Sequence, residues 1–307
     1  MKKIAFWVLL VLLTQALAAQ DLPEGVTFSN ELLLQVSSMP EAKLGFTHRI
    51  VFPFMQGDSP LTENNNITLA LTAEASPISV NGIVSAIWTP VAFLEFSAGG
   101  RIGSGWTINL FGNETYGIGL NTNENGKSVQ KGSAFDALLW KTFIGGTFQF
   151  DLAAIFPGDW NHVVFLSYHE INYHANTRAK AGQAWFFEGN YGEYCNGFNY
   201  YGNFLLGYQM PIFLNTVAFL TEMDLFLYDT PGRSEWGDDL IRWTFSCILN
   251  FSITKQLDIA LITQFRTLRN FNEPNWEDLH YQSRTVNKSN PYGLEFYRIA
   301  AAVTYRF

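Results

Sequence analysis

From about residue 26 to the last residue, apolar and polar side chains alternate with a period of two. Clusters of Gly, Asn, Pro and Asp break the alternation at intervals. That period puts successive side chains on opposite faces of an extended strand. The end of the chain is the clearest case. Tyr297, Ile299, Ala301, Val303, Tyr305 and Phe307 share one face; Arg298, Ala300, Ala302, Thr304 and Arg306 share the other. The pattern recurs in Leu257, Ile259, Leu261, Thr263 and Phe265 against Asp258, Ala260, Ile262, Gln264 and Arg266. It recurs again in Ile241 to Ile253, where Trp243, Phe245, Cys247, Leu249 and Phe251 oppose Arg242, Thr244, Ser246, Ile248 and Asn250.

Extended this way, the pattern predicts strands over 26–36, 42–52, 66–75, 79–88, 91–103, 106–118, 134–144, 147–156, 162–173, 184–194, 198–209, 216–228, 240–253, 257–268 and 294–307. Short turns such as 254–256 alternate with long polar stretches at 229–239, 269–291 and 122–133. Met55 to Asn65 reads as a further outer loop, and Ser76-Pro77 and Thr89-Pro90 read as tight turns. The strand list is odd in number, whereas a single-chain bacterial barrel has an even count. The expected class is therefore an all-β, transmembrane, antiparallel up-and-down barrel of about fourteen strands, with twelve as the alternative. No spare length remains for a separate plug.

A soluble β-sandwich also alternates. The composition separates the two cases. Aromatics make up 16% of the 307 residues, with 27 Phe and 13 Tyr, yet only 15% of residues are charged. A soluble domain carries nearer a quarter. Isolated charges in the middle of long strands, opposite a thoroughly aromatic face, suit a wet lumen backed by lipid.

The amino terminus reads as a secretory signal over residues 1–18. Lys2 and Lys3 form its charged start, Ile4 to Leu13 its apolar run, and Ala16-Leu17-Ala18 its small-x-small cleavage site. The apolar run is shorter than the roughly 20 residues of a spanning helix. Removing the two lysines takes the formal charge from −8 to −10. That balance argues against nucleic-acid partners. The two cysteines, Cys195 and Cys247, fall beside a loop and mid-strand on the lipid face; export permits a disulfide, but they are expected to stay apart.

The final residues, Phe307 with Tyr305, Val303 and Ala301 stepping back on one face, resemble the carboxy-terminal insertion signal of Gram-negative outer-membrane β-barrels. The resemblance implies an outer-membrane location, with membrane lipid and the barrel-assembly machinery as partners and Tyr305 and Phe307 read during insertion. The chain's size is similar to that of small monomeric porins and channel barrels. That implies a monomer passing small hydrophilic solutes without a cofactor. A closed structural or adhesive barrel and a lipid-hydrolysing barrel are the alternatives.

Candidate chemistry concentrates in charges predicted to face the lumen: Glu222, Asp224, Arg242, Asp258, Arg266 and Arg298. Acidic and basic patches side by side in a narrow lumen set a transverse field; the plainer reading is mutual neutralisation. Glu95 and Arg101 share one face of a strand and read as a structural pair. His162, His169 and His174 alternate in face and do not suit one metal. Ser29 and His48 lie on neighbouring strands without a fixed register, which is too little for a hydrolase. Asn125-Gly126-Lys127-Ser128 lacks the first glycine of a phosphate loop. Trp185, Phe186, Phe187, Tyr191, Tyr194, Tyr200, Tyr201 and Tyr208 read as an interfacial aromatic girdle.

Overall fold

The computed structural model describes residues 24–39, 41–110, 112–124, 127–132, 134–188, 193–228, 235–273 and 283–307. The signal segment 1–18, Tyr191, Asn125 and Gly126 lie outside the described residues, as do 229–234 and 274–282. The strands are β1 (Thr27–Ser37), β2 (Ala42–Pro53), β3 (Asn66–Ala75), β4 (Ser79–Val91), β5 (Leu94–Gly105), β6 (Thr107–Leu110), β7 (Asn113–Tyr116), β8 (Ile118–Glu124), β9 (Lys127–Lys131), β10 (Leu139–Asp151), β11 (His162–Asn176), β12 (Trp185–Phe187), β13 (Gly197–Gln209), β14 (Leu214–Phe226), β15 (Arg242–Ser252), β16 (Leu257–Arg269) and β17 (Tyr292–Arg306).

Twelve of them close into one barrel in the order β1-β17-β16-β15-β14-β13-β11-β10-β5-β4-β3-β2. All neighbours are antiparallel, and β1 closes the ring by pairing with both β2 and β17. The count matches the lower expectation of twelve and corrects the figure of about fourteen. Three misread segments account for the difference between the fifteen segments expected and the twelve strands of the ring. Gly145-Gly146 was expected to turn the chain between 134–144 and 147–156, but β10 runs straight through it. A Cβ built on Gly145 would sit 2.7 Å from the Tyr168 hydroxyl, so the glycine accommodates a ring leaning over from β11. The other two, 106–118 and 184–194, belong to loop structure: the β6–β7 hairpin and a small sheet of β12, β8 and β9.

The two faces of the wall divide as the alternation requires. Ile144, Val84, Phe219, Leu261 and Phe296 are exposed on the outside, and Ile299 is 52% exposed. Inside, Ser246 is fully covered and takes a hydrogen bond from Gln264. Among the described residues no helix is long and apolar enough to cross a membrane; the wall is strand throughout. Cys195 is buried, Cys247 is exposed on the outer face, and the two are not joined in a disulfide.

A bulge corrects the outer face of β17. The β16–β17 register shifts so that Arg298 opposes Gln264 while Phe296 opposes Phe265, leaving Tyr297 extra. Tyr297 therefore turns into the lumen, where its hydroxyl donates to Glu41 at 3.4 Å. Thr89-Pro90 is likewise no turn. It ends β4 at a register shift between Trp88 and Val91, a place where proline's missing N–H costs no ladder bond. The turn is 92–93.

The connections fall into two sets. Residues 54–65, 92–93, 152–161, 210–213 and 253–256 share a rim with the start of β1 and with Phe307, whose N–H and C=O bond Asn30. Met55 to Asn65 thus lies on the rim of the termini, not among the outer loops. The opposite rim carries 38–41 and 76–78 and all the longest segments, 106–138, 177–196, 227–241 and 270–291. Short turns and termini on one rim with long loops on the other assign these as the periplasmic and outer rims.

Candidate functional site

The expected lumen charges separate into two groups. Asp224 on β14 meets Arg242 on β15 at 2.9 Å. Tyr201 on β13 donates to Glu222 at 2.6 Å. Arg266 pairs with Glu295 at 2.6 Å and lies over the Tyr297 ring, 4.0 Å from its centroid. Arg298 reaches Gln264 at 2.5 Å, pairs with Glu41 and faces the same ring. Glu222, Asp224, Arg242 and Arg266 line a cavity of about 280 Å³ together with Tyr201, Thr244 and Glu193, whereas Arg298 stands outside it. Asp258 is not among them. It sits near the periplasmic mouth, bonded to Ser252 at 2.8 Å and paired with Arg306 at 2.5 Å.

Sequence reasoning missed the element that dominates this site. Residues 177–188 and 193–196 do not stay at the rim. Trp185, Phe186 and Phe187 form β12, which pairs with β8 and is almost wholly buried. Trp185 and Phe187 pack with Ile118, Ala137 and Leu139. The loop strands therefore cap the outer end of the lumen. The aromatic girdle is corrected by this. Trp185, Phe186 and Phe187 are buried in this cap with Tyr194 half-buried against them, and Tyr201 faces inward; Tyr200 remains on the outer face.

Two carboxylates fasten the segment to the wall. Glu188 accepts from Ser79 at 2.5 Å and Asn81 at 3.0 Å on β4, and pairs with Arg101 on β5 at 3.4 Å and Lys43 on β2 at 3.6 Å. Arg101 also approaches Glu74, at 3.7 Å, and so pairs elsewhere than with Glu95. Glu193 pairs with Arg242 on β15 at 3.3 Å and with Arg269 on β16. In the twelve-strand ring β4 and β15 lie six places apart, as do β5 and β16, so Glu188 and Glu193 are held by opposite walls. The only cue in the sequence is a pair of glutamates, Glu188 and Glu193, that follow and interrupt an aromatic stretch, Trp185 to Tyr194.

Burial by itself would raise both carboxyl pKa values. Lys43 and Arg101 around Glu188, with the Ser79 and Asn81 donors, overcome it; Arg269 and Arg242 do so around Glu193. Both groups titrate below the ordinary value of 4.5. The neighbouring Tyr194 phenol is pushed up to about 12 by burial and by Asp224. A depressed carboxyl lends its stability in full above its ordinary value and loses it as pH falls through the depressed one. We expect near-UV circular dichroism of the folded barrel to hold steady from neutrality to about pH 5 and to lose its cap signal reversibly below 4.5. A signal unchanged through that lower range would show that the carboxylates do not hold the cap.

The remaining candidates are dispersed. His162 pairs with Asp151 at 2.6 Å near the periplasmic rim. His169 lies on the outer face between Ser167, at 2.8 Å, and Tyr200, at 2.5 Å. His174 is buried beneath the cap, its Nε2 3.1 Å from the Cys195 carbonyl. Ser29 stands opposite Arg49, and His48 opposite Asn30, so Ser29 and His48 point to opposite faces of the wall.

A closed antiparallel ring, apolar without and charged within, needs lipid around it and water inside. The fold is that of an outer-membrane β-barrel. No family model matches this barrel, and no curated protein does. Among solved structures it is similar to a KdgM porin, at 10% identity over 91% of this chain and 99% of that one, with a TM-score of 0.39. It is similar to a NanC porin at 6% identity over 91% and 99%, TM-score 0.39. It is also similar to the beta domain of the Bordetella autotransporter BrkA at 9% identity over 92% and 99%, TM-score 0.40. These are loose superpositions of unlike sequences; the assignment of the fold rests on the strand ladder and the two faces of the wall.

Proposed function

We propose that this porin-like barrel passes small hydrophilic solutes across the outer membrane by diffusion, through a lumen narrowed by its own outer loops. One observation carries the proposal: the inner face of the wall is polar and charged, with opposed acidic and basic groups around a cavity beneath the cap. A lumen that only filled space would be more stable packed with apolar side chains, because burying charges costs desolvation. Asp224 with Glu222 on one side, and Arg242 with Arg266 on the other, would select solutes by charge and dipole. No cofactor enters this scheme. The reading extends to a monomer bedded in outer-membrane lipid, with Tyr305 and the exposed Phe307 offered to the assembly machinery.

A closed structural or adhesive barrel is the second reading, favoured by the apolar cluster of Trp185, Ile118, Leu139 and Phe187 inside the cap. Planar-bilayer recording of the purified protein separates the two. A channel gives discrete conductance steps, smaller than those of an uncapped barrel of equal strand number. A protein that inserts and stays electrically silent supports the closed barrel.

A further inference from the structure

We propose that the lumen favours cations, and that Glu222 on β14 and Glu95 on β5 set this preference as the two ends of one polar track along the inner wall. The inference deepens the channel reading, by giving the sign of the favoured solute, and rests on it.

The basic residues of the wall are all matched. Each lysine and arginine on the twelve strands of the ring has a carboxylate beside it, from Lys43 with Glu74 and Lys141 with Glu170 to Arg266 with Glu295 and Arg306 with Asp258. The converse does not hold. Glu222 accepts a hydrogen bond from the Tyr201 hydroxyl at 2.6 Å and has no basic partner among the described residues. Glu95 likewise has none among them. Both carboxylates face the lumen. Glu222 lines the cavity, and Glu95 shares its face with Arg101 while the neighbouring Phe96 is turned out to lipid.

An ion pair is a dipole, and its field falls off faster with distance than that of a lone charge. In a narrow, water-filled passage with low-dielectric walls, lone charges therefore decide which ion is concentrated. A carboxylate without a cation is also tolerated inside a protein only where water or mobile cations reach it. The register joins the two. Glu222 stands opposite Asn203, Asn203 opposite Tyr168, Tyr168 opposite Thr147, and Thr147 opposite Glu95. One rank of oxygen-bearing side chains thus crosses β13, β11 and β10 from one carboxylate to the other. Barrel strands tilt by roughly 35–45°, so such a rank climbs the wall. Its lower end lies beside Leu94, which opens β5 at the periplasmic turn, and its upper end lines the cavity beneath the cap. Amide and hydroxyl oxygens along it would replace part of a cation's hydration shell between the carboxylates.

The test is the reversal potential of the purified full-length protein in planar bilayers under a KCl gradient. The unaltered protein is expected to pass potassium several-fold more readily than chloride. Glu222→Gln/Glu95→Gln should bring the two permeabilities close to equality. Glu222→Asp/Glu95→Asp, which keeps both charges, should still prefer potassium. An unaltered protein that conducts but prefers chloride, or neither ion, overturns the inference and leaves the channel reading standing. So does a Gln double variant as selective for potassium as the unaltered protein. Silence of all three proteins refutes the channel reading, and the inference falls with it. Heat-modified mobility on gels confirms that each variant is a folded barrel.

Discussion

Replacing Arg242 by Ala is expected to destabilise the folded barrel by about 1–3 kcal/mol, because the half-buried guanidinium is shared by two carboxylates and its charged hydrogen bonds are lost. The guanidinium is shared between Asp224 on the wall and Glu193 on the loop before β13 and lies against the Phe226 ring. Its loss leaves Asp224 without the cation 2.9 Å away and removes one of the two guanidiniums around Glu193. Arg306→Ala is the control. Arg306 pairs with Asp258 and Glu31, but its side chain is 52% exposed at the periplasmic mouth. Such a pair contributes about 0–1 kcal/mol. Urea unfolding in lipid vesicles measures both. Equal losses for the two arginines would remove the special standing given to Arg242.

The wall was legible in the sequence because a barrel strand obeys one rule throughout its length. Lipid on one side and water on the other force a change of polarity at each residue, and β15 and β16 follow it without interruption. The rule failed where something local overrode it. At Tyr297 a bulge inserted one residue and reversed the face. At Gly145-Gly146 a pair that resembles a turn accommodates the Tyr168 ring. Strand number therefore came out too high, by segments rather than at random.

The site was less legible than the wall. Neighbouring-strand contacts such as Asp224 with Arg242 follow from alternation and pairing order. Contacts across the lumen do not, because they depend on where a loop travels after it leaves the rim. Trp185, Phe186 and Phe187 have the composition of an interfacial girdle and the position of a plug; only the Ile118, Ala137 and Leu139 surface waiting inside distinguishes them. Asp258 shows the converse. Its face was right, but its height along the wall placed it at the other mouth, with Arg306.

The second large effect concerns the lipid-facing wall, and it also tests the whole account. Ile299 and Ala300 are successive residues at the middle of β17, opposite Thr263 and Ile262 on β16. Ile299 is displayed outward, and Ala300 points into the lumen. An arginine at the bilayer midplane of a barrel's lipid face costs about 2–4 kcal/mol, whereas a lumen position is in water. Urea unfolding of Ile299→Arg and Ala300→Arg, each refolded into lipid vesicles, compares the two faces at one height. The account predicts a loss of about 2–4 kcal/mol for Ile299→Arg and a far smaller one for Ala300→Arg. Equal losses, or a greater loss at Ala300, would mean that the apolar face of this ring does not meet lipid.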